Sequence, residues 1–132
     1  VIPVHPNPNV KNKIHERLGH FNNIHLLTPL DYPFLVYLMK HAKLILTDSG
    51  GIQEEAPSFA CPTLVMRYET ERKEGVEAGV SKLVGADYDK ILDEAEKVLS
   101  SSKENTRLKA QNPYGDGTAS IQIEKIVREF FK

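Results

Sequence analysis

Short apolar runs alternate along this chain with stretches of helical periodicity, and that alternation limits the fold more than any other feature. The runs Val1 to His5, Asn23 to Thr28, Leu44 to Asp48, Thr63 to Met66 and Lys82 to Val84 read as buried strands. Between them apolar residues recur at helical spacing. Val10, Ile14 and Leu18 recur every fourth residue behind Asn7 and Pro8, a cap followed by a first-turn proline. Asp31 precedes Leu35, Leu38, Met39 and Ala42, and Asp87 precedes Ile91, Leu92, Ala95, Val98 and Leu99. A helix starting near Gly50 must be short or kinked, because Pro57 lacks the amide that helix would need. Short helices are expected over Lys73 to Ala78 and Lys103 to Ala110, and a last one from Thr118 to Phe131. Strand and helix in alternation give parallel strands joined by right-handed crossovers. The expected fold is therefore α/β: one Rossmann-like parallel sheet of about five strands with helices on both faces.

The bulk numbers narrow the function classes. The 132 residues carry a net charge of -1, so neither nucleic acid nor a membrane surface is an expected partner. No apolar run is long enough to span a bilayer. One cysteine, Cys61, excludes a disulfide framework and reads as a small buried hydrophobe. His15, His20, His25 and His41 form no metal-ligand spacing, and no metal is expected. The first residues, "VIPVH", already read as a strand, so the chain is expected to be cut from something longer.

In open α/β sheets ligands bind beyond the carboxyl ends of the strands. Three such places arise here. After Asp48 comes Ser49-Gly50-Gly51, a turn into a helix. Helix N-termini expose amide N–H groups and partial positive charge, and glycine lets an anion approach them. That suits phosphate; the bland alternative is a tight turn with Asp48 or Ser49 as cap. Glu55, one to two turns on, could hold two neighbouring ribose hydroxyls, whereas Glu54 points about 100° away around the helix. Both could instead be first-turn acids complementing the helix dipole. After Met66, Arg67 and Arg72 in "RYETERKEG" could clamp phosphate or sugar oxygens, or pair with neighbouring acids. After the first strand, His5 stands on a proline-rich turn, placed for a proton or an anion.

The stretches "PVHPNPNV", "LTDSGGIQEEAPSFACPTLVMR", "TERKEGVEAG" and "NPYGDGTAS" together resemble the carboxyl-terminal half of the non-hydrolysing UDP-N-acetylglucosamine 2-epimerases. The resemblance implies one half of a GT-B-type enzyme, two Rossmann-like domains around a cleft, with residues 1–132 forming the carboxyl-terminal UDP-binding domain. It implies elimination of UDP from UDP-GlcNAc and re-addition with inverted C2, without a redox cofactor, in a cytoplasmic homodimer. Ser49, Gly50 and Gly51 match the diphosphate cradle, Glu55 the ribose ligand, Arg72 the arginine of the "TER" motif, and His5 the histidine that assists UDP departure. Leu30, Phe34 and Leu35 are matched to uracil packing. The acids that move the C2 proton belong to the missing amino-terminal domain. Tyr68, Glu69 and Lys73 depart from the usual "RDTTERPE", and "DYPFLVYLMKHA" lacks the histidine that binds a regulatory second substrate in several members. The donor domain of a GT-B glycosyltransferase, a hydrolysing UDP-GlcNAc 2-epimerase and a non-catalytic UDP-binding module are the competing readings.

Overall fold

The computed structural model describes residues 1–101 and 112–131; the expected helix at Lys103 to Ala110 lies outside the described residues. The chain divides into two compact units, Val1–Leu38 and Met39–Lys132. In the first, β1 (Ile2–Pro3) pairs in parallel with β2 (Leu26–Leu27), and α1 (Pro8–Leu18) connects them. Asn7 starts α1 as expected: its side chain accepts from the Asn9 N–H at 2.9 Å, and Pro8 occupies the first turn where no amide partner is needed. Val4, just past β1, is buried. Helix α2 (Tyr32–His41) follows β2 and runs into the second unit, where its Met39 is buried.

The second unit holds a parallel ladder in the order β3 (Ile45–Thr47), β4 (Thr63–Val65), β5 (Ser81–Leu83). Its register aligns Leu46, Leu64 and Lys82. The central strand is buried at every residue, as a strand paired on both sides should be. Helix α3 (Gly50–Glu55) stops before Pro57, and the chain continues as a 3-10 turn over Ala56–Phe59. That is the interruption the missing proline amide demands. Helix α4 (Lys73–Glu77) packs against β5, and α5 (Tyr88–Ser100) against β4. The Asp87 carboxylate caps α5 by accepting from the Lys90 N–H at 3.0 Å. The last helix, α6, spans Ala119–Phe130.

The fold is Rossmann-like α/β with all strand pairs parallel. It departs from expectation in one respect: the five strands pair as a two-stranded and a three-stranded ladder, not as one continuous sheet. The strands are only two or three residues long, so each ladder rests on few backbone hydrogen bonds. Leu64, Val65, Val80 and Val84 form the apolar centre of the second unit, each contributing roughly 1.5–3 kcal/mol by leaving water. Cys61 is also buried, its thiol directed at the Ala42 carbonyl at 3.5 Å.

Candidate functional site

The carboxyl end of β3 builds the turn that the sequence singled out. Buried Thr47 uses its Oγ1 to accept from the Ser49 N–H at 3.0 Å, which turns the chain out of the strand. Ser49 then takes extended angles, φ -78° and ψ 131°, as the N-cap of α3. Its hydroxyl makes no capping bond, so it remains a donor for another partner. Gly50 and Gly51 form the first turn, where backbone amides have no intrahelical acceptor.

A buried relay fixes this turn relative to Arg72. The Ser49 carbonyl accepts from both the backbone N–H and the side-chain amide of Gln53, at 3.3 and 3.2 Å. Gln53 is fully buried, and its Oε1 accepts from Thr70 Oγ1 at 2.7 Å. Thr70 Oγ1 in turn accepts from the Arg72 N–H at 3.1 Å. Two segments far apart in sequence, 49–53 and 70–72, are thereby tied by satisfied polar groups, which is the condition for burying an amide without penalty.

The side chains converge above the turn. A β-carbon at Gly50 would stand 3.2 Å from Glu71 Oε1 and 3.7 Å from an Arg72 guanidinium nitrogen. One at Gly51 would lie 3.9 Å from both Glu55 Oε1 and Ser49 Oγ. Glu55 thus folds back toward the start of its own helix, and its other carboxylate oxygen is buried without a partner among the described residues. Arg72 forms ion pairs with Glu54 and, at 3.4 Å, with Glu71. The Glu54 pair is made through Arg72 Nε. Glu71 also accepts from Arg67 at 3.1 Å. Its own backbone N–H, then the Arg67 and Arg72 charges, hold its carboxyl below the ordinary value. Glu54, set about 100° around the helix from Glu55, reaches the guanidinium of Arg72. The helix is a single short turn and a half, and a flexible carboxylate at its end reaches across to the next loop despite its angular offset.

The second unit therefore brings together Ser49, Gly50, Gly51, Glu55 and Arg72. The other candidates lie in the first unit. His5 follows β1, and its Nδ1 accepts from the Asn7 N–H at 3.2 Å, which puts the proton of the neutral ring on Nε2. Phe34 is exposed near the start of α2, with Leu30 and Leu35 half-buried beside it in sequence. Sequence reasoning missed Gln53, Thr70 and Tyr114. Only Gln53 left a local trace, since it lies one helical turn after Ser49. Among the described residues no group of three or more His, Cys, Asp and Glu could hold a metal ion, and no helix is long and apolar enough to cross a membrane.

A family profile described as UDP-N-acetylglucosamine 2-epimerase matches residues 1–128. The chain belongs to the UDP-N-acetylglucosamine 2-epimerase family. The match carries the whole set of candidate residues, from His5 to Arg72. The epimerase of Escherichia coli strain K12 is 52% identical over 124 residues, covering 93% of this chain and 33% of that protein. The chain spans about a third of the length of the curated relatives it matches. Among solved epimerases, that of Neisseria meningitidis bound to UDP-GlcNAc superimposes with a TM-score of 0.82 at 43% identity, over 96% of this chain and 35% of that one. The epimerase of Methanocaldococcus jannaschii in complex with UDP-GlcNAc and UDP gives 0.75 at 34% identity, over 92% and 34%.

Proposed function

We propose that this chain is the carboxyl-terminal, UDP-binding half of an enzyme that interconverts UDP-GlcNAc and UDP-ManNAc. One observation carries the reading: the Arg72 guanidinium and the Glu55 carboxylate converge on the Ser49-Gly50-Gly51 turn, within a family whose solved members hold UDP-GlcNAc. The diphosphate lies against the amides of Gly50 and Gly51 and the Ser49 hydroxyl, with Arg72 over it. It displaces Glu54 and Glu71 from the guanidinium, exchanging two carboxylate contacts for charge-assisted phosphate contacts of about 1.5–3 kcal/mol each. The Glu55 carboxylate, folded back beside Gly51, accepts from the ribose hydroxyls. The resemblance matches Leu30, Phe34 and Leu35 to uracil packing, and Phe34 is exposed.

The reaction follows from that binding. A base removes the C2 proton, the C1–C2 double bond forms, and the C1–O bond breaks with its electron pair passing to the β-phosphate. UDP then re-adds to C1 while an acid, also from outside this chain, returns a proton to C2 from the opposite face, which inverts that carbon. Donors that hold the departing diphosphate more tightly than the bound sugar nucleotide lower the barrier. The resemblance implies that His5 assists UDP departure, and its Nε2–H can donate a hydrogen bond to the departing oxygen. The C2 base comes from an amino-terminal domain of the longer protein, and the resemblance implies that this protein is a cytoplasmic homodimer.

Proton exchange at C2 of UDP-GlcNAc in deuterated water tests this division of labour. The longer protein should exchange C2 hydrogen and form UDP-ManNAc; residues 1 to 132 alone should exchange none above background. Exchange by this chain alone would place a base within it and overturn the reading. Release of free ManNAc by the longer protein would instead indicate the hydrolysing reaction.

A further inference from the structure

Arg72 stands at the N-cap of α4, with φ -94° and ψ 57°, a position that favours Ser, Thr, Asp or Asn. Those residues are favoured because their side-chain oxygen accepts from an amide two or three residues on. Arginine has no acceptor, and Arg72 makes no capping bond. The acceptor comes from the distant "NPYGDG" loop instead. The Tyr114 hydroxyl accepts from the Gly75 N–H at 3.0 Å, the amide a capping serine would serve, and donates to the Arg72 carbonyl at 3.3 Å. Gly75 is buried, and a β-carbon there would collide with that hydroxyl and come within 3.1 Å of Ser81 Oγ. Glycine at 75 is thus what admits the tyrosine. The loop is itself held: Asn112 Oδ1 accepts from the Tyr114 N–H at 3.0 Å, and Asn112 Nδ2 donates to Ser58 Oγ at 2.9 Å. Ser58 lies in the 3-10 turn that continues α3. One loop therefore braces both the helix carrying Glu55 and the residue carrying the guanidinium.

We propose that Tyr114 is a positioning residue for Arg72: its hydroxyl caps α4 in place of the N-cap side chain, which lets an arginine stand there and face the nucleotide. This rests on the UDP-binding reading above. The test is UDP calorimetry on the longer protein carrying Tyr114→Phe, Arg72→Ala or both. Tyr114→Phe should weaken UDP by about fivefold while the thermal midpoint stays within a few degrees. Added to Arg72→Ala, it should cost less than about twofold more, because the residue it positions is gone. Unchanged affinity in Tyr114→Phe, or an equal loss in both backgrounds, overturns the positioning role alone. Unchanged affinity in Arg72→Ala overturns the nucleotide site itself. Should Tyr114→Phe fail to fold, the wild-type Gly75 amide answers the question: slow hydrogen exchange supports the cap, and exchange at the rate of an open loop overturns it.

Discussion

The guanidinium of Arg72 lies over the backbone of Gly50, close enough that a β-carbon at Gly50 would stand 3.7 Å from one of its nitrogens and 3.2 Å from Glu71 Oε1. The bare backbone therefore serves two ends: it leaves the helix amides open, and it lets the arginine approach from above. Valine at 50 adds two more methyl groups to that space. Gly50→Val should weaken UDP binding by about tenfold or more in calorimetry, with the fold retained by circular dichroism. Unchanged affinity would locate the phosphates elsewhere.

The two adjacent acids should separate in their effects. Glu55→Ala removes the carboxylate beside Gly51 and should weaken UDP by about tenfold. Glu54→Ala removes a carboxylate that competes with phosphate for Arg72, and should change affinity by less than about twofold. A titration giving the opposite order would assign the ribose to Glu54.

Gln53 is the buried link between Ser49 and Thr70. Gln53→Leu fills a similar volume but strands the Thr70 hydroxyl and half of the Ser49 carbonyl's bonding. It should lower stability by about 1–3 kcal/mol in urea unfolding, with the slope unchanged. A stability equal to that of the unaltered chain would mean that the relay adds nothing.

Much of this was legible because it is local. Asn7 and Asp87 cap their own helices within two or three residues, and Pro57 stops α3 within its own turn. The Ser49-Gly50-Gly51 turn into α3 was legible for the same reason. The relations that organise the site join residues distant in sequence: Tyr114 to Gly75, Gln53 to Thr70, Arg72 to Glu54. No periodicity encodes those. The split of the strands into two ladders was equally hidden, because runs of two or three paired residues leave the apolar pattern unchanged.

Glu94 sets an acid limit. It accepts from Lys82 of β5 and Lys97 of α5 at 2.6 and 2.7 Å, and these bonds, Lys82 first, hold its carboxyl below the ordinary 4.5. A depressed folded value means that its contribution is complete above the ordinary value and is lost as pH falls through the folded one. Glu94→Gln should therefore flatten the loss of thermal midpoint below about pH 4.5. An acid limb as steep as in the unaltered chain would show that the pair contributes nothing.

The central claim is that this chain alone carries the nucleotide site. Its most direct test is a nuclear magnetic resonance titration of residues 1 to 132 with UDP. Saturable shifts should concentrate on the amides of Ser49, Gly50 and Gly51 and on the Arg72 side chain, with weaker shifts at Gly75 and Tyr114. Saturable shifts that leave Ser49 to Gly51 and Arg72 unmoved would contradict it.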